Sequence, residues 1–213
     1  YEQVFYTFDK KMSDASFKAL YLVPELESRI DGALNYKQQN FEKSRIENKL
    51  KTVRNEIRIL NNDLPKIQFK NVDLLTSEKI TLELATSAKY YLQDVKKYYN
   101  RLNQYANGKK DDRFKELSDK FGGKYDLVKL KQNHHNRRLT EQLLNKTEAR
   151  KVKEYQHRIV RLKDPVYSYP THNFGRAHFY APVKRFLGQN IETFYFNIAF
   201  IWLTTIFLYL TLL

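Results

Sequence analysis

Residues 193–213 read TFYFNIAFIWLTTIFLYLTLL, an unbroken stretch with no charged side chain and one strongly polar side chain, Asn197. As a helix rising about 1.5 Å per residue it extends roughly 30 Å, the thickness of a bilayer's hydrocarbon core. A helix satisfies its backbone hydrogen bonds internally, which a lone strand in lipid cannot do, so the stretch predicts one C-terminal transmembrane helix. Phe194, Tyr195 and Phe196 crowd its start, where aromatic rings favour the headgroup boundary. The competing reading is the core helix of a soluble protein, and so long a run without a charge argues against it. Asn197, Thr204, Thr205 and Thr211 can hydrogen-bond a neighbouring helix or, equally well, their own backbone.

The rest of the chain is of opposite character. Lysine and arginine number 38 against 24 acidic residues, a formal net charge of +14, and nearly all of that charge precedes Glu192. An excess of this size implies anionic surroundings: lipid headgroups, nucleic acid or an acidic partner. Cysteine is absent, which excludes disulfides and thiolate metal sites. The chain begins at Tyr1 without an initiator Met or a signal-peptide pattern and stops inside an apolar run, and is therefore expected to be a piece of a longer protein.

The soluble part reads as mostly α. A helix is predicted from Glu25 to about Leu60, with Pro24 at its first turn and Ile46, Leu50, Val53, Ile57 and Leu60 spaced by fours and threes. A second is predicted from Ser77, as its cap, to Ala106, closed by Asn107-Gly108. It carries Leu84, Ala88, Tyr91, Val95, Tyr98, Leu102 and Tyr105 in the same rhythm. A period of 3.5 residues keeps one apolar seam facing a partner, so long antiparallel helices with heptad seams are expected. Pro65 stops the first helix, and the connector LPKIQFKNVDLL has room for a short extended piece at residues 67–72. A short helix over residues 111–120 should close at Gly122-Gly123. Another over residues 124–145 brings Leu127, Leu130, His134 and Leu143 to one side. KVKEYQHRIVRL, residues 151–162, predicts a small β-hairpin turning at Gln156-His157, although those are not the favoured Asn-Gly turn residues. The expected organisation is a helical soluble domain over 1–163, a proline- and aromatic-rich membrane-interface segment over 164–192 and the transmembrane helix over 193–213.

Catalytic signatures are missing. No GxxxxGKS/T phosphate loop occurs, nor GxSxG, HExxH or GxGxxG. His134 and His135 are adjacent and point about 100° apart on a helix, a poor arrangement for a shared metal. The acidic residues are scattered singly. The reading is therefore not an enzyme, with no catalytic, cofactor-binding or metal site. Nucleic acid is disfavoured as a partner, because the tyrosines that would stack bases lie on the helical seams and many cations lie on solvated faces.

The most distinctive stretch is DPVYSYPTHNFGRAHFYAPVKRFLG, residues 164–188, leading into the apolar run. Its FGRAHFYAPVK block, the acidic-aromatic residues 192–196 and the upstream FGGKYDLVKLKQNHHNRRLTEQLLN, residues 121–145, resemble the C-terminal region of a family of large bacterial ATP-binding-cassette (ABC) exporters. In that family ATPase and permease share one chain, and a soluble domain precedes the final permease helix. The resemblance covers roughly the second half of this chain, and the turn at Gln156-His157 departs from the Asp-Gly expected there. It implies a permease piece in the bacterial inner membrane, with other permease helices and an ATPase domain of the same parent as partners. Pro165, Pro170 and Pro182 prevent a continuous helix in residues 164–192. Phe174, Phe179, Tyr180 and Phe186 can then rest at the membrane interface while Arg176, Lys184 and Arg185 reach headgroups. Packing of the same residues against the permease itself is an equal alternative. The cations before the span favour a cytoplasmic flank by the positive-inside rule, whereas the resemblance implies an extracytoplasmic, periplasmic soluble part. That rule weakens for long domains, so the expectation follows the resemblance. A tail-anchored scaffold pairing through coiled-coil helices is the alternative function, and pairing of two copies stays open.

Overall fold

Residues 2–20 set aromatic and small apolar side chains between polar ones, and they fold into helix. In the computed structural model, which describes residues 2–120, 122–145, 147–170, 172–178 and 181–212, helix α1 (Glu2–Phe17) passes through a π-helical turn (Lys18–Leu22) into α2 (Val23–Gln38). Pro24 therefore does not begin a helix. The wider π turn, in which the Val23 N–H donates to the Lys18 carbonyl, lies where a proline ring would otherwise crowd the preceding carbonyls. The helix expected from Glu25 to Leu60 is two helices. After α2 the chain turns at Gln39 and Asn40, the latter left-handed at φ 55°, and restarts as α3 (Lys43–Asp63).

All five apolar positions expected on α3, from Ile46 to Leu60, are buried. The connector to the next helix holds no strand at residues 67–72. Instead Asn61 clasps the Phe69 backbone in both directions at 3.0 Å, and a 3-10 turn (Val72–Leu74) follows. Helix α4 (Leu82–Lys120) starts later and ends later than predicted. Thr81, rather than Ser77, offers its hydroxyl to the Leu84 N–H at 3.2 Å, while the Ser77 N–H is taken by Glu47. Asn107-Gly108 does not end the helix. Ala106 is buried there, Lys110 pairs with Asp9 at 2.5 Å and Phe114 meets Phe5, so packing on α1 outweighs the local cost of glycine. The buried positions of α4 run 85, 88, 91, 92, 95, 99, 106 and 118, whereas Tyr98 and Tyr105 of the expected seam are exposed. The Gly122-Gly123 closure holds, both glycines having positive φ and the Gly123 N–H reaching the Ser118 carbonyl.

The predicted helix over 124–145 is broken. Helix α5 (Lys124–His134) stops at an extended His135, and Asn136 caps α6 (Arg137–Leu144) by accepting from the Leu139 N–H. The predicted hairpin is present as antiparallel β1 (Val152–Tyr155) and β2 (Arg158–Arg161). Gln156 and His157 have φ 49° and 55°, the two positive values that a type I′ turn requires. A second hairpin, not foreseen, pairs β3 (Val183–Phe186) with β4 (Gln189–Glu192) and runs directly into α7 (Thr193–Leu212).

The chain divides into two units. The first, Tyr1–His135 with Ala149–Leu162, holds the main apolar core, in which Leu26, Ile30, Val53, Ile57, Leu75, Leu92, Val95 and Ile159 of β2 meet. The second, Asn136–Glu148 with Lys163–Leu213, contains α6, a 3-10 turn (Pro165–Tyr167), the second hairpin and α7. Helix α7 is long and apolar enough to cross a membrane, and none of its described residues is buried.

Candidate functional site: the hairpin at the start of the apolar helix

Residues 173–175 and 181–193 fold back on the first turns of α7. Thr193, the first residue of that helix, is clamped twice: its N–H donates to the Pro182 carbonyl at 3.0 Å and its hydroxyl to the Ala181 carbonyl at 2.5 Å. From there β3 runs beside the helix. Strand alternation puts Lys184 and Phe186 on one face, and both meet α7. The Lys184 ammonium donates to Asn197 Oδ1 at 2.8 Å and lies 4.8 Å from the centroid of Phe196. The Phe186 ring packs edge-on against Phe196 at 5.8 Å, and Phe196 stacks on Phe200.

Residues 173–175 add a third rung. The Gly175 N–H donates to the Arg185 carbonyl, Leu187 N–H to the Asn173 carbonyl, and Phe174 bridges Phe186. Glycine is required at 175: its φ is +74°, and a Cβ there would lie 2.3 Å from the Phe196 ring.

Those of the expected interface residues that are described lie in one small substructure. Phe174, Lys184, Arg185 and Phe186 line the rung and β3, and Arg176 follows on an exposed loop. Phe179 and Tyr180 lie outside the described residues. Asn197 bonds to Lys184, while Thr204 and Thr205 donate back to carbonyls of their own helix at 2.8–3.0 Å. Beside the clamp is a cavity of about 390 Å³ lined by Gly175, Arg176, Ala177, His178, Ala181, Lys184 and Thr193. Burial lowers the His178 pKa, against the opposite pull of its hydrogen bond to the Val166 backbone. The imidazole there is therefore neutral near pH 7. Among the described residues of this lining no nucleophile is paired with a base, and Arg176 and Lys184 bring two cations with no carboxylate beside them.

A second concave surface lies in the first unit and was not foreseen. It encloses about 600 Å³ between the 66–68 connector and α4, with Lys66, Gln68, Asp94, Lys97, Tyr98 and Arg101 around Tyr91. Lys97 pairs with Asp94 at 3.0 Å. Nearby, Lys18 of the π turn donates to Asp63 at 2.6 Å and to the Tyr99 hydroxyl at 2.9 Å. Burial opposes its charge, but those two bonds outweigh it and hold the ammonium above its ordinary pKa. The Tyr91 hydroxyl is pushed up, first by burial and then by Tyr99 and Asp63. The signal that could have found this groove was the Lys97/Arg101 pair one helical turn apart beside Tyr98. Among the described residues no group of three or more His, Asp or Glu is placed to hold a metal.

Compared with protein-family models, with curated proteins and with solved structures, the chain matches none. What stands is a class: a mostly helical chain with two small antiparallel strand pairs and one C-terminal helix of membrane-spanning length and apolarity.

Proposed function

We propose that the chain is the membrane-attached, non-catalytic part of an ATP-driven exporter of the ABC type, supplying a helical extracytoplasmic domain and the last membrane span. The observation that carries this reading is the mechanical continuity of residues 181–197. An apolar helix with no buried residue is clamped at Thr193 and braced through Lys184 and Phe186, so a shift of the helix displaces the hairpin with it. The FGRAHFYAPVK resemblance falls on this same substructure. In the proposed mechanism an ATPase domain of the parent protein rearranges the membrane helices, α7 tilts or slides, and the hairpin converts that motion into a change at the membrane surface. The helical domain is rigid enough for that role because α3 is buried along one seam, residues 46, 50, 53, 57 and 60. The protein resides in the bacterial inner membrane, with the soluble part in the periplasm.

The open reading frame that encodes these residues tests the proposal. It is expected to contain further hydrophobic spans and a GxxxxGKS/T phosphate loop. A frame with one span and no such loop sinks the exporter and leaves the tail-anchored scaffold. That second reading is favoured by a different observation: Tyr90, Tyr98 and Tyr105, spaced by eight and seven residues, stand exposed along α4 in the manner of a docking stripe.

A further inference from the structure

The tip of the second hairpin is built from residues that water does not favour. Leu187 is 73% exposed and Phe174 is 72% exposed, side by side where the Leu187 N–H meets the Asn173 carbonyl. Leu187 also holds a φ of 48°, a left-handed conformation that leucine seldom adopts, and Gly188 follows at 84°. An aliphatic side chain fixed in a strained turn and presented outward is neither core nor an ordinary solvated loop.

Position supplies the explanation. The chain just before β3 is bonded to Thr193, the first residue of α7, and the end of β3 is packed on Phe196. Phe196 lies about 4.5 Å further along the helix axis and Asn197 about 6 Å, at 1.5 Å per residue. The strand therefore stays beside α7 rather than leading away from it, and its end, at Phe186, packs on the helix's first turn.

We infer that the β3–β4 tip, with Phe174 and Leu187 leading, is a wedge inserted into the headgroup and upper acyl region of a phospholipid leaflet. This rests on the reading that α7 crosses the bilayer. The occupant is lipid because the tip continues the surface of an apolar helix whose described residues are all unburied. Charge agrees: between residues 165 and 212 the cations Arg176, Lys184 and Arg185 face a single carboxylate, Glu192, which suits a phosphate-rich layer. Lys184, bonded to Asn197 within the second turn of α7, carries its ammonium below the headgroups on a side chain long enough to reach back to them. The depth is bounded. A two-stranded hairpin keeps an open backbone edge, which hydrocarbon does not tolerate, so the wedge stops in the hydrated interface.

The natural absence of cysteine makes a site-specific test direct. The full chain carrying L187C, F174C or, as a control on the other hairpin's turn, Q156C is labelled with a bimane fluorophore. Each is reconstituted into vesicles of phosphatidylethanolamine and phosphatidylglycerol. Phospholipid brominated near the headgroup end of its acyl chains is then added as quencher. Emission at positions 187 and 174 is expected to fall about twofold, as for groups about 5–10 Å below the surface, with position 156 unchanged. Two reporters guard against one substitution disturbing the turn. Flotation of the labelled chain with the vesicles separates the two readings. A chain that fails to float removes the spanning helix and the wedge together. A chain that floats while 187 and 174 stay as bright as 156 leaves α7 in place and overturns the wedge.

Discussion

The two hairpins are the same local device set on different foundations. Each pairs four residues with four, and each turns through two left-handed residues, Gln156-His157 in one and Leu187-Gly188 in the other. The first is held by charge. Glu56 of α3, nearly fully buried, accepts from Arg158 at 2.8 Å and from the Ile159 N–H at 2.9 Å. Glu154 accepts from Arg29 and Thr52, Arg161 reaches Asp14 and Ser13, and Ile159 enters the core. The second is held by rings, one ammonium–amide bond and the two bonds of Thr193, and among the described residues no carboxylate bond ties it to its seat. Carboxylate networks are suited to a docking surface that water wets; aromatic packing with a polar tether is suited to one that lipid wets. On the wedge inference, the difference between the hairpins is a difference of solvent.

The largest expected break falls on the first hairpin. Glu56→Ala strands the buried Ile159 N–H and unpairs Arg158, and should cost about 2–4 kcal/mol of folding stability. Urea unfolding of the detergent-solubilised chain, followed by far-ultraviolet circular dichroism, reads this, and Glu56→Gln should recover part of the loss by keeping one acceptor oxygen. The matching break in the second hairpin is Gly175→Ala. A Cβ set against Phe196 at a positive φ should cost about 1–3 kcal/mol locally. Amide exchange should quicken over residues 183–192 while residues 152–161 keep their protection. Equal acceleration at both hairpins would contradict their independence.

A smaller change sharpens the contrast by separating two readouts. Leu187→Asn suits the left-handed turn better and should raise or hold the thermal midpoint, within about 1 kcal/mol. It should also weaken lipid quenching of a fluorophore at F174C. The same exchange at His157 of the first turn should leave any lipid readout untouched. The least effect is expected from acid. Burial opposes the Glu154 charge, but hydrogen bonds from Arg29 and Thr52 prevail and hold its pKa below the ordinary 4.5. A depressed folded-state pKa contributes stability that is present above the unfolded value and lost as pH falls through the folded one. Amide exchange corrected for pH should therefore show the first hairpin loosening below about pH 4.5, while the second, with no carboxylate bond to its seat among the described residues, keeps its protection.

How much the sequence revealed follows the same division. The first hairpin was legible because β-branched and charged residues bracket a polar pair, as a water-facing turn demands. The second was not, since a leucine at a turn tip makes no sense in water, and the three prolines nearby read only as an obstacle to helix. Gly188 was the missed signal. Helix α1 is hard to read because the buried Ala15, and Ala19 in the π turn after it, give a faint periodicity, and because Pro24 resembles a beginning when a π turn lets the helix continue through it. Asn107-Gly108 looked like an end, and only contact with α1 through Phe114 and Lys110 explains why it is not. The apolar run, by contrast, was unambiguous in length and composition because lipid-spanning helices are specified by little else.

Trp202, the only tryptophan and the tenth residue of the 20-residue α7, tests the central claim most directly. With the chain reconstituted in vesicles, its emission should be quenched by phospholipid brominated near the bilayer centre and be indifferent to iodide in the buffer. Quenching by iodide with no response to brominated lipid would place the helix in water and contradict the account.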